Sequence, residues 1–492
     1  MSGGRDFDGD RWHHIINRRA AMSRAGIGLG SAAASWMMTR DASGGGPGNA
    51  SDSAMVRSGL HHRGTARRVI YLFMGGGPSQ MEMLEHKPML ARRAGEELPE
   101  SIRDGQRLTT MTSGQSRLPI APSAFAFSPA GRCGHPISEL LPQFRRVIDD
   151  VTVIHSVHTD AINHDPAMTF VQTGHELPGR PAAGAWVSYG LGSENENLPT
   201  YAVLHSKWSG KLSPQPIFAR LWGNGFLPSR HQGVGLRGDG DPVLYLSNPA
   251  GVDRTTRRIM IDGLNRLNAH HRDRTADPEI ETRMAGYEMA FRMQSSVPEL
   301  TDIADEPADV TRLYGSDCLV PGTFAANCLL ARRMAQRGVR FTQIFHRGWD
   351  QHGNLPKDLP RQCGDIDRAM TGLILDLKRC GLLDDTLVVW GGEFGRTVYC
   401  QGDLTANNYG RDHHPRCFTM WMAGGGIRAG FTYGRTDEFG YNIVENPVHV
   451  HDINATILHA LGIDHRRLTH RYQGRDFRLT DVHGNVIDDI LA

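Results

Sequence analysis

An amphipathic stretch, a turn, and a short apolar run that stops abruptly at glycine and polar residues recur along this chain. That recurrence restricts its fold more than any other feature. "FAANCLLARRMAQRGVRFTQIFHRGWDQHGN" (324–354) gives a helix, Gly338, a strand over 339–345 and a polar loop. "DIDRAMTGLILDLKRCGLLDDTLVVWGGEFG" (365–395) repeats it, with Ile366, Met370, Leu373, Ile374 and Leu377 on one helical face. "ISELLPQFRRVIDDVTVIHSVHTD" (137–160) reads as helix, turn and buried strand. "RRVIYLFMGGGPSQ" (67–80) and "RCFTMWMAGGG" are strands running into glycines, and "VHDINATILHALGI" (450–463) is a helix beginning near Asp452. Such units predict an α/β fold with a mainly parallel central sheet sandwiched by helices. Ligands of such sheets sit outside the carboxyl ends of the strands. The polar clusters Gly75–Ser79, His158–Asp165, Asp350–His352 and Glu393–Arg396 fall there.

The folded part is expected over 67–492 as a single α/β domain, with a Gly/Pro/Ser-rich insertion at 194–250 packing as ordered loops over the sheet rim. Residues 254–300 are helical in pattern and expected as a covering layer. Ahead of it, "NRRAAMSRAGIGLGSAAASWMM" sets Arg18–Arg19 before a weakly apolar Ala/Gly-rich segment, and "TRDASGGGPGNASDS" follows as a linker. Residues 1–66 thus read as a twin-arginine-type export signal and flexible linker, implying a periplasmic or extracellular protein. No stretch has the ~18 uninterrupted apolar residues of a membrane span. With Lys+Arg 54 against Asp+Glu 53, no bulk field favours nucleic acid. Seven cysteines without a CxxC pair exclude a zinc ribbon and a full disulfide framework, leaving room for one or two bridges.

In "GWDQHGN", Asp350 and His352 offer a carboxylate and an imidazole to a divalent cation (zinc, calcium or manganese) directly after a strand. Glu393 closes an apolar strand, where a carboxylate is costly unless paired or coordinated. It joins the metal candidates, the alternative being a pair with Arg396. Past a turn-rich loop, His413 and His414 are further metal candidates. Adjacent histidines point different ways, so at most one of them ligates, and Asp412 either orients it or caps the loop. Arg396 suits bidentate contact with sulfate or phosphate oxygens. Gly76 and Gly77 allow backbone amides to converge on an anion, and Ser79 is either a substrate contact or a helix cap. His158, Asp160, His164 and Asp165 crowd into eight residues. Of these, His158 is taken as a substrate contact, and His164 and Asp165 as candidates for a general base. No GxSxG elbow and no cysteine in a catalytic context supplies a nucleophile.

The quoted segments, together with "GFLPSRHQGVGLRGDGDPVLYLSNP", "GRDHHPR" and "MAGGGIRAGFTYGRTDEFGY", resemble a sulfatase-like bacterial family of unknown function within the alkaline phosphatase superfamily. The likeness runs from about Arg67 to the C-terminus and implies the alkaline phosphatase/sulfatase fold, with divalent metal at the strand ends. "VHDINATILHALGI" is similar to the sulfatase HVDIxPTLLDLAG segment. "HDPAMTFVQTG" is similar to the nucleophile segment CxPSRxxLLTG, with His164 where the cysteine stands. The aspartate pair after the first strand is replaced by Gly75–Gly77, and the late Asp-His metal pair by Glu393–Phe394. Phenylalanine cannot ligate.

These readings imply an exported metal-dependent hydrolase of sulfate or phosphate esters, on a small molecule or a polysaccharide. One cation, held by Asp350, His352, one of His413 and His414, and Glu393, would polarise an oxyanion or a water. The reading from another class is a non-catalytic protein on the same scaffold that binds an anionic glycan or a protein partner.

Overall fold

The structure, a computed structural model, describes residues 60–492 apart from 212, 239–241, 244–245 and 406. Up to residue 59, the expected signal and linker lie outside the described residues. Eleven strands frame the site: β1 (Arg68–Gly75), β2 (Val151–His158), β3 (Tyr201–Ser206), β4 (Val234–Leu236), β5 (Phe341–Arg347), β6 (Thr386–Gly391), β7 (Gly395–Thr405), β8 (Asn408–His414), β9 (Phe418–Ala423), β10 (Phe431–Tyr433) and β11 (Val448–His449). Nine of them form one sheet in the order β10-β2-β9-β6-β1-β5-β3-β4, with β11 added alongside β2. Among the described residues of this sheet only β9 runs against its neighbours; every other pairing in it is parallel. This is the expected α/β class with a mainly parallel sheet.

Strands β1, β5 and β6 occupy the middle. Strands β1 and β6 are apolar along nearly their whole length and buried at every residue because helices cover both faces, and β5 is buried up to its last residue, Arg347. Gly75 of β1 lies opposite Arg347 of β5, and Phe73 opposite Gly391 of β6. The three strands therefore end together, and their following loops meet at one rim. The helix expected over 365–377 is longer, Leu355–Arg379, and buries one side including Ile366, Met370, Leu373 and Leu377. The last helix, Val450–Ala460, starts at a capping box in which the His449 ring and the Asp452 carboxylate each accept a backbone N–H.

Three local expectations are corrected. No helix forms over 137–150; Pro142 interrupts the pattern, and two short 3-10 turns, Phe144–Arg146 and Ile148–Asp150, lead into β2. The 194–250 stretch contributes β3 and β4 to the sheet. "YAVLHS" is short and apolar enough to be a buried strand, an easy signal to lose among glycines. Between Glu393 and the DHH triplet lies a β-hairpin, β7 with β8, in which His413 pairs with Arg396 and His414 with Gly395.

Gly59–Ala250 with Met289–Ala492 form one compact unit, which holds the sheet and the site, and Gly251–Glu288 fall in another. The latter contains helix Arg254–Thr275 and the start of helix Pro278–Thr301, tied by Arg258 to Glu288 at 2.6 Å. All seven cysteines are free. Among the described residues no helix is long and apolar enough to cross a membrane.

Candidate metal centre

At the common end of β1, β5 and β6, four side chains turn their donor atoms inward. His164, Asp350, His352 and His413 each offer one atom, and the four atoms lie within 4.8 Å of one another. Asp350 and His352 come from the loop after β5, and His413 from the penultimate position of β8. His164 is the first residue of helix His164–Thr173, which follows β2. Side chains alternate faces along a strand, so when His413 faces this group, His414 faces away. Backbone contact fixes the hairpin against the β5 loop. The Arg411 N–H donates to the Gln351 carbonyl at 3.1 Å, and a Cβ at Gly410 would run into the His352 carbonyl.

What surrounds the imidazoles decides their tautomers. The Nδ1 of His413 lies 2.9 Å from the Ile162 carbonyl, that of His352 2.5 Å from Gln401 Oε1, and that of His164 2.6 Å from Glu393 Oε1. All three partners are acceptors, so each Nδ1 carries the proton and donates. Each Nε2 in the neutral ring is then a bare lone pair directed at the group, the arrangement that orients histidine on metal ions. Glu393 is itself held, accepting the Gly76 N–H at 2.9 Å.

The inner atoms are crowded. His352 and His413 bring their Nε2 atoms to 3.2 Å, and Asp350 Oδ1 lies 2.7 Å from His352 Nε2, 3.1 Å from His164 Nε2 and 3.5 Å from His413 Nε2. Two lone pairs at 3.2 Å repel unless a proton or a cation lies between them. His164 Nε2 is buried and, despite its nearness to Asp350, makes no hydrogen bond. Three imidazole nitrogens and one carboxylate oxygen, with a buried orphan among them, fit a borderline divalent cation such as zinc, which accepts N and O ligands tetrahedrally. A hard, oxygen-seeking ion such as calcium fits this nitrogen-rich set poorly.

The electrostatics follow from burial. For Asp350, burial works to raise the pKa, but Arg396 and the three imidazoles prevail and hold the carboxyl far below the usual carboxylate range. Burial, reinforced by Arg396, takes His413 down to about 3, so it stays neutral. Burial also works to lower the pKa of His164, but its two carboxylate neighbours, Asp350 and Glu393, prevail and raise it, so a cation at this centre competes with a proton for His164 Nε2. Phe394, which cannot ligate, packs on both His164 and His413, with ring centroids at 4.8 and 4.5 Å.

The remaining expected site residues take other places. Glu393 is one step outside the group, behind His164. His414 is fully buried elsewhere; its Nε2 faces the Tyr441 carbonyl at 2.8 Å, so it is no ligand here. Arg396 is buried, donating to Asp350 Oδ1 at 2.7 Å and to the carbonyls of Gly76, Gly77, Trp349 and Arg411. With its guanidinium so engaged it is a structural clamp and cannot grip a substrate anion. The Gly76 amide is taken by Glu393 and is not open to an anion, and Gly77, at φ +67°, lies against the Phe394 ring. Ser79 is buried and gives its hydroxyl to Glu82, without capping the backbone. Asp165 points outward, its side chain 60% exposed and paired with Arg220, and His158 packs on His449 at 5.1 Å. Neither touches the four. The general-base role expected of Asp165 has no geometry behind it, and both nitrogens of His164 face acidic partners.

Sequence reasoning missed Lys211, Gln215 and Gln401. Lys211 Nζ and Gln215 Nε2 reach Asp350 Oδ2 at 2.8 and 3.0 Å from the loop after β3. Lys211 is 29% exposed and His352 21%, which marks the side on which the group opens to solvent. Their loop has no periodicity to flag it, and no spacing rule links residue 211 to residue 350.

The family whose pattern matches this chain, over residues 66–491, is described as "Protein of unknown function (DUF1501)". No curated protein matches the sequence. Three of the solved structures it is similar to illustrate the range. The phosphonate monoester hydrolase SpPMH from Silicibacter pomeroyi is 10% identical, over 80% of this chain and 73% of that one, with TM-score 0.30. The PsFucS1 sulfatase from Pseudoalteromonas sp. is 11% identical, over 84% and 70%, with TM-score 0.33. Alkaline phosphatase from the Antarctic bacterium TAB5 is 11% identical, over 81% and 98%, with TM-score 0.32.

Proposed function

The chain belongs to the DUF1501 family, and from that premise we propose that it is an exported, metal-dependent hydrolase of sulfate or phosphate esters. One observation carries the reading: three histidines, each with Nδ1–H already donated, present bare Nε2 atoms to a shared point beside the Asp350 carboxylate. His164, Asp350, His352 and His413 would hold the ion. A divalent cation there supplies a Lewis acid that polarises an ester oxygen or a water.

The chain's own residues do the rest. Glu393 and the Ile162 carbonyl keep protons on the outer nitrogens of His164 and His413. Phe394 shields two of the imidazoles from water, which strengthens every charge interaction inside. Lys211, half open to solvent and already beside Asp350, brings positive charge to the mouth, where an ester anion would arrive. The Arg18–Arg19 segment is the ground for placing this work outside the cytoplasm.

A second reading, a binding protein without turnover, draws on one specific observation. Among the described residues no serine, threonine or cysteine is hydrogen-bonded to any of the four candidate ligands. Metal analysis of purified protein, beside release of nitrophenol from aryl sulfate and aryl phosphate, separates the two. Turnover that needs the ion and disappears in His413→Ala supports the hydrolase. A loaded ion with no release across the ester panel supports the binding protein. Turnover undiminished in metal-free protein refutes the metal-dependent mechanism.

A further inference from the structure

At the far end of the helix that begins with His164 lies a second polar region. It is an open cleft of about 1030 Å³, lined by Phe170, His175, His449, His451, Arg466 and His483 among others. Helix His164–Thr173 rises ~1.5 Å per residue, so the cleft floor at Phe170 and Gly174 is roughly 9–15 Å from His164. A ligand seated there would not touch the four candidate metal ligands.

Many of the cleft's charged groups are already occupied. Asp452 accepts the backbone N–H groups of His449 and Asn485, Asp481 pairs with Arg180 and Arg475, and Asp160 faces His449 Nε2 at 3.3 Å. Among the described residues several donors are free, and so is one carboxylate, that of Glu176. His175 accepts the Leu177 N–H through Nδ1, which places its own proton on Nε2. The Arg466 guanidinium, the Asn485 amide and both nitrogens of His483 have no hydrogen-bond partner among the described residues. One buried acceptor is also unmet. His451, 3% exposed, turns Nε2 to the Gly174 carbonyl at 3.0 Å and leaves Nδ1 without a partner. Burial takes this imidazole down to about 4, so at neutral pH the lone pair stays available. The His451 and His483 rings stack at 5.1 Å and 11°, with Phe170 edge-on to His451 at 5.0 Å. They form a flat tier beside the free donors.

From this set we infer that the cleft binds an acidic oligosaccharide. A sugar face lies on the imidazole tier, a hydroxyl donates to His451 Nδ1, and a carboxylate or sulfate group meets Arg466 and His483. The hydroxyls of such a ligand answer Glu176 and the unmet acceptor of His451, and its acid group answers the free Arg466 guanidinium. As the anchoring site of a polymeric substrate it rests on the hydrolase reading; as a binding site it does not.

The test is calorimetric titration of the full chain with three oligosaccharides: tetragalacturonate (carboxylate), a sulfated galactan tetrasaccharide free of uronic acid (sulfate) and maltotetraose (neutral). At least one acidic probe should bind about tenfold or more tighter than maltotetraose, and which one identifies the acid group. Arg466→Ala and His483→Ala should each weaken it about tenfold, with the metal content unchanged. His413→Ala, defective in the ion, should bind it as the wild type does. Binding lost in His413→Ala yet kept in Arg466→Ala and His483→Ala would seat the sugar at the metal centre and overturn the cleft assignment, leaving the hydrolase reading intact. Equal binding of maltotetraose, or no binding of any probe, overturns it too. A chain that binds at the cleft but hydrolyses no ester keeps this inference and loses the other.

Discussion

Around Asp350, three histidines each use Nδ1 to donate outward and turn Nε2 inward. In the cleft, His449 accepts through Nδ1 and turns Nε2 to Asp160, whereas His451 turns Nε2 to Gly174 and leaves Nδ1 bare. Both regions are rich in imidazole, yet only the first brings its free nitrogens to a common point. The difference lies in the outer partners: a carboxylate, an amide oxygen and a carbonyl each hold the same ring nitrogen in the first region. Counting histidines does not find a metal centre; following the nitrogen that points away from it does.

The hardest blow to this contrast comes from Asp350→Ala. Removing the one acceptor shared by Arg396, Lys211 and the imidazoles leaves Arg396 buried without its counter-ion. Stability should fall by about 3–5 kcal/mol in a urea titration, with loss of bound metal. An unfolding midpoint near that of the wild type would mean that Asp350 is not the hub of the group. Next in size is Glu393→Gln, which weakens the hold on the outer nitrogen of His164 and keeps an amide oxygen for the Gly76 N–H. Ion affinity, read by competition with a chromophoric chelator, should drop 10–100-fold, whereas His451→Phe in the cleft should leave it unchanged. Equal losses in both variants would erase the distinction drawn here.

Acidification sharpens the same comparison. His451 and His414 are both taken by burial to about 4, below the 6.5 of an unfolded chain. At pH above 6.5 both states are neutral and the contribution is complete. Between 6.5 and about 4 only the unfolded chain takes up the protons, so stability declines as pH falls. Each imidazole accounts for up to about 1.4 kcal/mol per pH unit, and urea midpoints at pH 7.5 and 5 should show His451→Phe with the shallower decline. The smallest effect belongs to Asp165→Asn. Its exposed side chain pairs only with Arg220, so stability should stay within about 0.5 kcal/mol and metal content should not change.

Much of this was legible in the chain itself. Asp350, His352 and His413 stood out because each lies at or near the end of a strand, and a parallel sheet gathers strand ends on one rim. His164 was noticed, but as a base at a nucleophile's position. Its place among the metal candidates depends on Glu393, 229 residues away, holding its other nitrogen. Glu393 was read one step too far inward for the same reason. Arg396 was misread because its partners are backbone carbonyls, which leave no mark in side-chain patterns. The β7–β8 hairpin escaped because "QGDLTANNYG" reads as irregular turn chemistry, although it joins two strands that pair across it.

The grip of Arg396 and Lys211 on Asp350 bears on how the protein acquires an ion at all. Two built-in cations already neutralise the carboxylate, so the chain can reach its native shape empty and be filled afterwards. Unlike small zinc modules, whose folding free energy is their metal affinity, this protein should survive dialysis against a chelator with its circular dichroism unchanged and then reload.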